Sequence, residues 1–317
     1  MNATRALRAS VLVVAVSLVA AGPAAATPSG LLFDDLEQYL KEASGADYAG
    51  TQIVVTVYQG KTTAGVVSVA HAGEMLLLSE RTVVGDGKVS GAAEGTGSIV
   101  ISDWNRLGVT GRYTTGEPEN VRHLGRKARS IAVMEGELLR AQIVFDAETN
   151  APLATQVFNT DGSAFRQSWM FQFDPTPSRG VYERSSDDGG EYTVMLKANA
   201  GTSPGEVVGY RLGDRYSGPD DVVQSFYSDG LFSFSLFEIE GAPQLSRFDD
   251  AVVTSFGGAK YDVLVTPAQM WVRWTTPGTT YVLVGDLPPD HLRDVLAELP
   301  RPRKRNLLSR LWRGLFG

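Results

Sequence analysis

The feature that most constrains the fold of this chain is a long series of short β-strand patterns with no helical pattern between them. Val, Ile, Thr and aromatic residues dominate these patterns, as is typical of strands. They are predicted at 48–58, 65–71, 74–79, 97–102, 130–135, 139–146, 153–159 and 164–173. A doubly wound parallel sheet would need a helix between successive strands, so the series favours antiparallel pairing.

A single helical pattern precedes this series. In residues 31–43, apolar side chains recur at helical spacing and polar side chains occupy the opposite face, which predicts an amphipathic helix. We therefore expect a mainly β (α+β) fold in which an antiparallel sheet curls around or onto this helix.

Composition predicts two domains. The run Asp174-Pro175-Thr176-Pro177 and the polar stretch 185–190 interrupt the strand series, and 317 residues are enough for two domains. We predict a first domain at 27–173, a linker at 174–204 and a second domain at 205–300. Further strands are predicted in the second domain at 207–212, 222–227, 231–239, 261–265, 269–275 and 281–284, followed by a helix from Pro289 to Leu299.

The first 26 residues have the pattern of a secretory signal peptide. Arg5 and Arg8 precede an apolar stretch at 11–21, and Ala24-Ala25-Ala26 forms a small-residue cleavage site. An uncleaved N-terminal anchor is the alternative. The pattern predicts export across the inner membrane to the periplasmic or cell-wall-side space, with a peripheral membrane position as a further expectation. The chain has no cysteine, so its stability must come from its cores without disulfides.

Charge is distributed unevenly along the chain. All 36 acidic residues lie at 27–298 with 21 of the 29 basic residues, which gives that body a net charge of 21 − 36 = −15. An acidic body argues against nucleic-acid binding, which needs a basic surface.

The last 17 residues, 301–317, form a basic amphipathic tail. Basic and aromatic side chains recur beside an apolar helical stripe, and such a helix is attracted to anionic membranes at about 1 kcal/mol per basic residue. The residues that we predict to contact a membrane or a partner are Arg301, Arg303, Lys304, Arg305, Arg310, Trp312, Arg313 and Phe316. A disordered tail and a helix that folds back on the acidic body are the alternatives.

No pattern predicts catalysis, a cofactor or a metal. The three histidines lack metal-ligand spacing, and we expect His71 in a strand and His123 and His291 in solvent. The glycine-rich run at 85–97 matches no phosphate-binding loop, and no serine lies in a nucleophile elbow. The chain is therefore predicted not to be an enzyme, although a Ser-His-Asp triad is recognised by geometry and not by order.

Alternation in two strands places apolar side chains together on one face of each strand. The residues are Ile53, Val55 and Val57 in the first strand, and Trp169, Phe171 and Phe173 in the last strand of the first domain. They either build the core beneath the helix or line an apolar cavity that holds an acyl chain.

Several strings resemble one known family. Tyr227-Ser228-Asp229-Gly230-Leu231-Phe232-Ser233-Phe234-Ser235 closely resembles the C-terminal domain of the RseB/MucB family, which regulates envelope-stress sigma factors of the sigma-E type from outside the cytoplasm. Val284-Gly285-Asp286-Leu287-Pro288-Pro289 is a second match. Weaker matches are the stretch 143–153 with the following Asp161-Gly162, and the opening Tyr48-Ala49-Gly50-Thr51.

The resemblance implies a LolA-like curved antiparallel half-barrel with a helix in its concavity, followed by a smaller antiparallel sheet with a terminal helix. It also implies an extracytoplasmic negative regulator that binds the outer part of a membrane-spanning anti-sigma factor, protects it from proteolysis and releases it when a lipidic ligand binds. A lipid or lipoprotein carrier of the LolA-like type is the alternative, and a secreted hydrolase is a third.

Overall fold

A computed structural model describes residues 34–72, 75–85, 88–91, 97–99, 111–177, 196–197, 203–218, 222–240, 251–267 and 269–302. These residues form two antiparallel sheets and two helices, which confirms the predicted mainly β fold. The signal peptide and the tail beyond Pro302 lie outside the described residues, as do most of the predicted linker and part of the glycine-rich run.

The first sheet has 11 strands in the order β4-β3-β2-β1-β11-β10-β9-β8-β6, with β5 paired to β3 and β7 paired to β8. Its strands are β1 (Tyr48–Tyr58), β2 (Lys61–Ala72), β3 (Met75–Gly85), β4 (Lys88–Gly91), β5 (Gly97–Ile99), β6 (Tyr113–Thr115), β7 (Glu119–His123), β8 (Arg126–Glu135), β9 (Leu138–Asp146), β10 (Pro152–Phe158) and β11 (Ala164–Asp174). Short turns join most neighbours, because consecutive antiparallel strands need only a hairpin.

Helix α1 (Asp34–Ser44) packs on one face of this sheet, which we call the inner face. Leu40 and Ala43 are buried in the same cluster as Ile143, and Tyr39 stacks on Phe145 with 5.6 Å between ring centres. The predicted helix therefore covers the sheet as expected from its apolar stripe.

The inner face of β1 is not the face that alternation predicted. Val54, Thr56 and Tyr58 are buried, whereas Ile53 and Val55 are half-buried and Val57 is exposed. Ile53 pairs directly with Trp169, so these side chains lie together on the outer face of the sheet. The interpretation of this set as core beneath the helix is wrong.

A β-bulge explains the second departure, in β11. Thr51 pairs with Gln172 and Gln52 pairs with Met170, so Phe171 is the extra residue and is 41% exposed. Beyond the bulge the alternation is reversed, and Phe173 lies near Tyr48 with 6.2 Å between ring centres. The prediction that Trp169, Phe171 and Phe173 share one face is therefore wrong for Phe173.

The second sheet has nine strands in the order β12-β14-β15-β16-β20-β19-β18-β17, with β13 paired to β14. Its strands are β12 (Leu196–Lys197), β13 (Glu206–Val207), β14 (Tyr210–Ser217), β15 (Val222–Ser228), β16 (Ser233–Glu240), β17 (Val252–Phe256), β18 (Ala259–Val265), β19 (Met270–Thr276) and β20 (Thr279–Gly285). A tight turn splits the strand predicted at 207–212, and β17 was not predicted.

Helix α2 (Pro289–Glu298) follows β20, with proline in its first turn as predicted. Leu292, Val295 and Leu296 are buried, and the Trp274 indole N–H donates to the Pro300 carbonyl at 2.7 Å. The helix thus covers the face of the second sheet that carries Trp274.

Candidate functional site at the interface between the two sheets

The interface between the two sheets holds a network of buried and half-buried residues, most of them charged or aromatic. Arg112 and Tyr113 come from the start of β6, Glu135 from the end of β8 and Arg140 from β9. The second sheet supplies five residues from the β13–β14 turn, the β15–β16 turn and the first turn of α2: Val208, Tyr210, Asp229, Asp290 and His291. We call these nine residues the inter-sheet network.

Glu135 is the centre of this network. Its carboxylate accepts hydrogen bonds from Arg112 Nε at 2.6 Å, Arg140 Nε at 2.7 Å and His291 Nε2 at 2.9 Å. Burial alone would raise the pKa of Glu135, but the bond from His291 and the charges of His291, Arg140 and Arg112 lower it to about 2. Glu135 is therefore ionised at neutral pH and joins both sheets.

His291 is fixed between two partners. Because an ionised carboxylate only accepts hydrogen bonds, the Nε2–H group of His291 is the donor in the bond to Glu135. The Nδ1 atom of His291 lies 2.6 Å from the Tyr210 hydroxyl oxygen, within hydrogen-bond distance. Burial, followed by the charge of Asp229, raises the pKa of the Tyr210 hydroxyl well above its usual range, so this hydroxyl stays protonated.

The prediction that His291 lies in solvent is wrong, since the residue is 2% exposed. His123, also predicted in solvent, is half-buried in β7, and its Nε2 is 2.8 Å from the Met170 carbonyl oxygen. His71 lies in β2 as predicted. The signal that could have placed His291 is its position on the apolar stripe of α2, one turn before Val295.

Asp229 closes the tight turn between β15 and β16, and this carboxylate is fully buried. One oxygen accepts the backbone N–H of Leu231 at 3.0 Å and of Phe232 at 2.8 Å, as is typical of an aspartate that caps its own turn. The other accepts the Tyr113 hydroxyl of the first sheet at 2.6 Å. Burial, followed by the charge of Asp229, raises the pKa of Tyr113.

Arg140 makes the most deeply buried ion pair between the sheets. Its guanidinium binds both carboxylate oxygens of Asp290, at 3.1 and 2.9 Å, and also donates to the Phe158 carbonyl oxygen at 3.3 Å. Arg140 is only 2% exposed. Two-point pairing of this kind fixes geometry as well as charge.

The two C-terminal strings that carry the family resemblance contact each other within the second sheet. Phe234 pairs with Gly285, and a Cβ at Gly285 would lie 2.7 Å from the Cβ of Phe234, so only glycine fits. Asp286 accepts the backbone N–H of Ser233 at 2.9 Å. Burial, together with the charge of Asp229, raises the pKa of Asp286 to about 6, although the Ser233 bond and Arg166 act in the opposite direction.

The two weaker strings also have structural reasons. Asp146 is buried in the β9–β10 turn, where it accepts the N–H groups of Glu148 and Thr149 and pairs with Arg126 at 2.6 Å. Gly50 lies so close to β11 that a Cβ would be 2.5 Å from the Gln172 carbonyl oxygen. Each string thus contains a residue with a structural reason for its type, a carboxylate that caps a turn in one and a glycine at a close strand contact in the other.

The candidate lipid-contact residues do not form one group. Ile53, Val55, Val57 and Trp169 share the outer face of the first sheet, whereas Phe171 lies on the bulge and Phe173 on the inner face. Of the tail candidates, only Arg301 lies within the described residues, where it donates to the Ala297 carbonyl oxygen at 3.3 Å.

Two further findings concern metals and membranes. Among the described residues, no group of three or more His, Cys, Asp or Glu side chains is arranged to hold a metal ion. Neither of the helices in this part of the chain is long and apolar enough to cross a membrane.

No protein-family model matches the chain, and no curated protein matches it either. Among solved structures, it is similar to MucB, with 21% identity, a TM-score of 0.48, and coverage of 83% of this chain and 96% of that chain. A complex of MucA and MucB from Pseudomonas aeruginosa gives 17% identity, a TM-score of 0.43, and coverage of 82% and 96%. A LolA superfamily protein from Nitrosomonas europaea gives 9% identity, a TM-score of 0.19, and coverage of 80% and 95%. MucB carries the name of the RseB/MucB family, which the sequence strings resemble.

Proposed function

We propose that this chain is an extracytoplasmic negative regulator of a sigma factor, which acts by binding the outer part of a membrane-spanning anti-sigma factor and protecting it from proteolysis. The observation that carries the proposal is that the two strongest family-like strings lie side by side in the second sheet, where Phe234 pairs with Gly285. Asp229 of the first string also accepts the Tyr113 hydroxyl of the first sheet, so the strings describe one structural unit and not two chance matches.

Binding is tested with the full chain and a membrane extract that contains a single-pass anti-sigma factor. The full chain is expected to retain that factor, whereas a chain that ends at Pro204 is expected to lose it. A matched control is a chain that ends at Pro302, which keeps α2 and its contact with Trp274. Equal recovery by the chain that ends at Pro204 would contradict a binding role for the second sheet.

Protection is tested separately, by digesting the outer part of the anti-sigma factor with and without the regulator. Cleavage is expected to be slower when the concentration of the regulator exceeds the dissociation constant of its complex with the anti-sigma factor. An unchanged cleavage rate at a saturating concentration of the regulator would contradict the protective role, although the chain could still bind the anti-sigma factor.

We further propose that a lipidic ligand releases the partner, because a ligand that binds one conformation more tightly shifts the population away from the other. The site would involve the outer-face residues Ile53 and Trp169 or the inner face beneath α1. Native mass spectrometry of the purified chain is expected to detect a retained acyl ligand. If repeated preparations show only the mass of the polypeptide itself, the proposed lipid binding is contradicted.

The basic tail is proposed to hold the regulator at an anionic membrane surface in the periplasmic or cell-wall-side space. Co-sedimentation with vesicles that contain anionic lipid is expected for the full chain and reduced for the chain that ends at Pro302. Equal sedimentation of the two chains would contradict a membrane role for the tail.

A further inference from the structure

Arg112 contacts both sheets with a single side chain. Its Nε donates to Glu135 at 2.6 Å, and one terminal nitrogen donates to the Val208 carbonyl oxygen at 3.3 Å. The same terminal nitrogen lies 3.7 Å from the Asp229 carboxylate, and the guanidinium carbon lies 5.9 Å from the centre of the Tyr210 ring. Arg112 therefore links the centre of the inter-sheet network to two separate turns of the second sheet.

The first of these turns is strained. Val208 and Gly209 have φ values of 49° and 83°, and they form a two-residue turn between β13 and β14 in which both residues need positive φ. Glycine adopts this conformation freely, but a β-branched residue such as Val208 rarely does. A strained residue persists only when its surroundings hold it, and the bond from Arg112 to the Val208 carbonyl is a contact that does so.

The second turn depends on the compensation of a buried charge. Asp229 is fully buried, and its hydrogen bonds come from neutral groups: the Tyr113 hydroxyl and the backbone N–H groups of Leu231 and Phe232. Arg112 lies 3.7 Å from this carboxylate and supplies a counter-charge, and a buried charge that loses its counter-charge is strongly destabilised. Removing Arg112 therefore disfavours the closed form of this turn.

Arg112 also differs from Arg140 in its access to solvent. The side chain of Arg112 is 24% exposed, whereas that of Arg140 is 2% exposed. Arg112 can rotate into solvent without repacking the core, because a long cationic side chain is readily solvated at its head group. Arg140 cannot leave its site unless the sheets separate.

We propose that Arg112 is a coupling residue, which holds the turns at 207–210 and 228–232 in their closed conformations from the first sheet. Its withdrawal relaxes both turns together while both sheets stay folded. The proposal goes beyond the regulatory function above and does not depend on it, because it concerns contacts within the chain alone.

Hydrogen exchange of the full chain tests this, with wild type compared with Arg112→Met, which keeps the aliphatic stem and removes the charge. Exchange at Leu231, Phe232 and Tyr210 is expected to accelerate at least ~10-fold, the effect of losing one hydrogen bond to a charged group. Amides in β16, β19 and β20 are expected to keep their protection. The result that overturns the proposal is unchanged exchange at both turns.

Arg126→Met is the matched control. Arg126 pairs with the buried Asp146 at 2.6 Å, as Arg112 pairs with Glu135. The other side-chain partner of Arg126, Glu148, also belongs to the first sheet, whereas Arg112 additionally contacts Val208 and Asp229 of the second sheet. This variant is expected to leave the two turns of the second sheet unchanged. If it accelerates their exchange as much as Arg112→Met does, the effect is general destabilisation and the coupling role is wrong. Uniform loss of protection across both sheets in Arg112→Met would overturn it as well.

A second variant distinguishes the effect of Arg112 on the first turn from its effect on the second turn. Val208→Gly removes the backbone strain, so the combination Arg112→Met with Val208→Gly is expected to regain protection at Tyr210 but not at Leu231 and Phe232. Persistent fast exchange at Tyr210 in the combined variant would contradict the role assigned to strain.

Discussion

Two carboxylates near the same interface have pKa values shifted in opposite directions. Glu135 accepts bonds from two guanidinium groups and a histidine, which favour its charged form, so its pKa falls to about 2. Burial, together with the like charge of Asp229, raises the pKa of Asp286 to about 6, although the backbone N–H of Ser233 and the charge of Arg166 lower it. Burial raises the pKa of both carboxyl groups, and only Glu135 has enough hydrogen-bonded cationic partners to reverse the direction.

Replacing Glu135 with Gln is expected to lower the free energy of unfolding at pH 7 by about 2 kcal/mol, because a pKa unit corresponds to about 1.4 kcal/mol and partial exposure reduces the effect. A lowered pKa stabilises the fold above the unfolded value of 4.5, and this contribution is lost as pH falls through about 2. Urea unfolding of both proteins from pH 2 to 7 measures it. A difference in the free energy of unfolding that stays constant from pH 2 to 7 would contradict the lowered pKa of Glu135.

Asp286→Asn is expected to raise the free energy of unfolding, whereas Glu135→Gln lowers it. Because the pKa of Asp286 is raised in the folded wild type, this group contributes stability that is complete below its unfolded-state pKa of 3.8. This stability is lost as the pH rises through about 6. The variant does not titrate and can still accept the Ser233 N–H, so it should be more stable than wild type by about 1–2 kcal/mol at pH 8 and equal to it at pH 3.5. Asp294→Asn, an exposed change of the same kind in α2, is the control for chemical denaturation.

At the scale of elements, the predicted strands and both helices were largely correct, because alternation and helical spacing are local signals. The faces were predicted less well. A bulge changes the alternation of β11 without any glycine or proline to mark it, and only the pairing of Thr51 and Gln52 with their partners reveals it. The turn at Val208 was missed because a β-branched residue is not expected at positive φ.

The contact between β16 and β20 predicts a large effect for a small substitution. Gly285→Ala would place a Cβ 2.5 Å from the Ser233 carbonyl oxygen, so the strands must separate, at a cost of about 1–3 kcal/mol. Gly116→Ala is the matched control, because the nearest atom to its added Cβ is 3.7 Å away. Thermal unfolding of both variants measures the difference, and equal midpoints would contradict the tight contact.

At the scale of the whole molecule, the two sheets share one buried core. Ile131 and Phe145 of the first sheet belong to the same buried cluster as Leu283 of the second sheet and Leu292 of α2. Sequence reasoning placed a boundary between two domains but could not find this contact. Tyr113 lies 116 residues before Asp229, and Arg140 lies 150 residues before Asp290, so no local pattern connects them.

A shared core with a buried ion pair predicts that the two sheets unfold together. Differential scanning calorimetry of the full chain is expected to show one transition, because separating the sheets leaves Arg140 and Asp290 without each other. Arg140→Met removes this pair and should lower the stability by about 3–5 kcal/mol, with the second sheet unfolding as a separate transition. Arg126→Met, which breaks a short pair within the first sheet, should lower the midpoint but keep one transition. Two transitions in wild type would mean that the shared core does not couple the sheets.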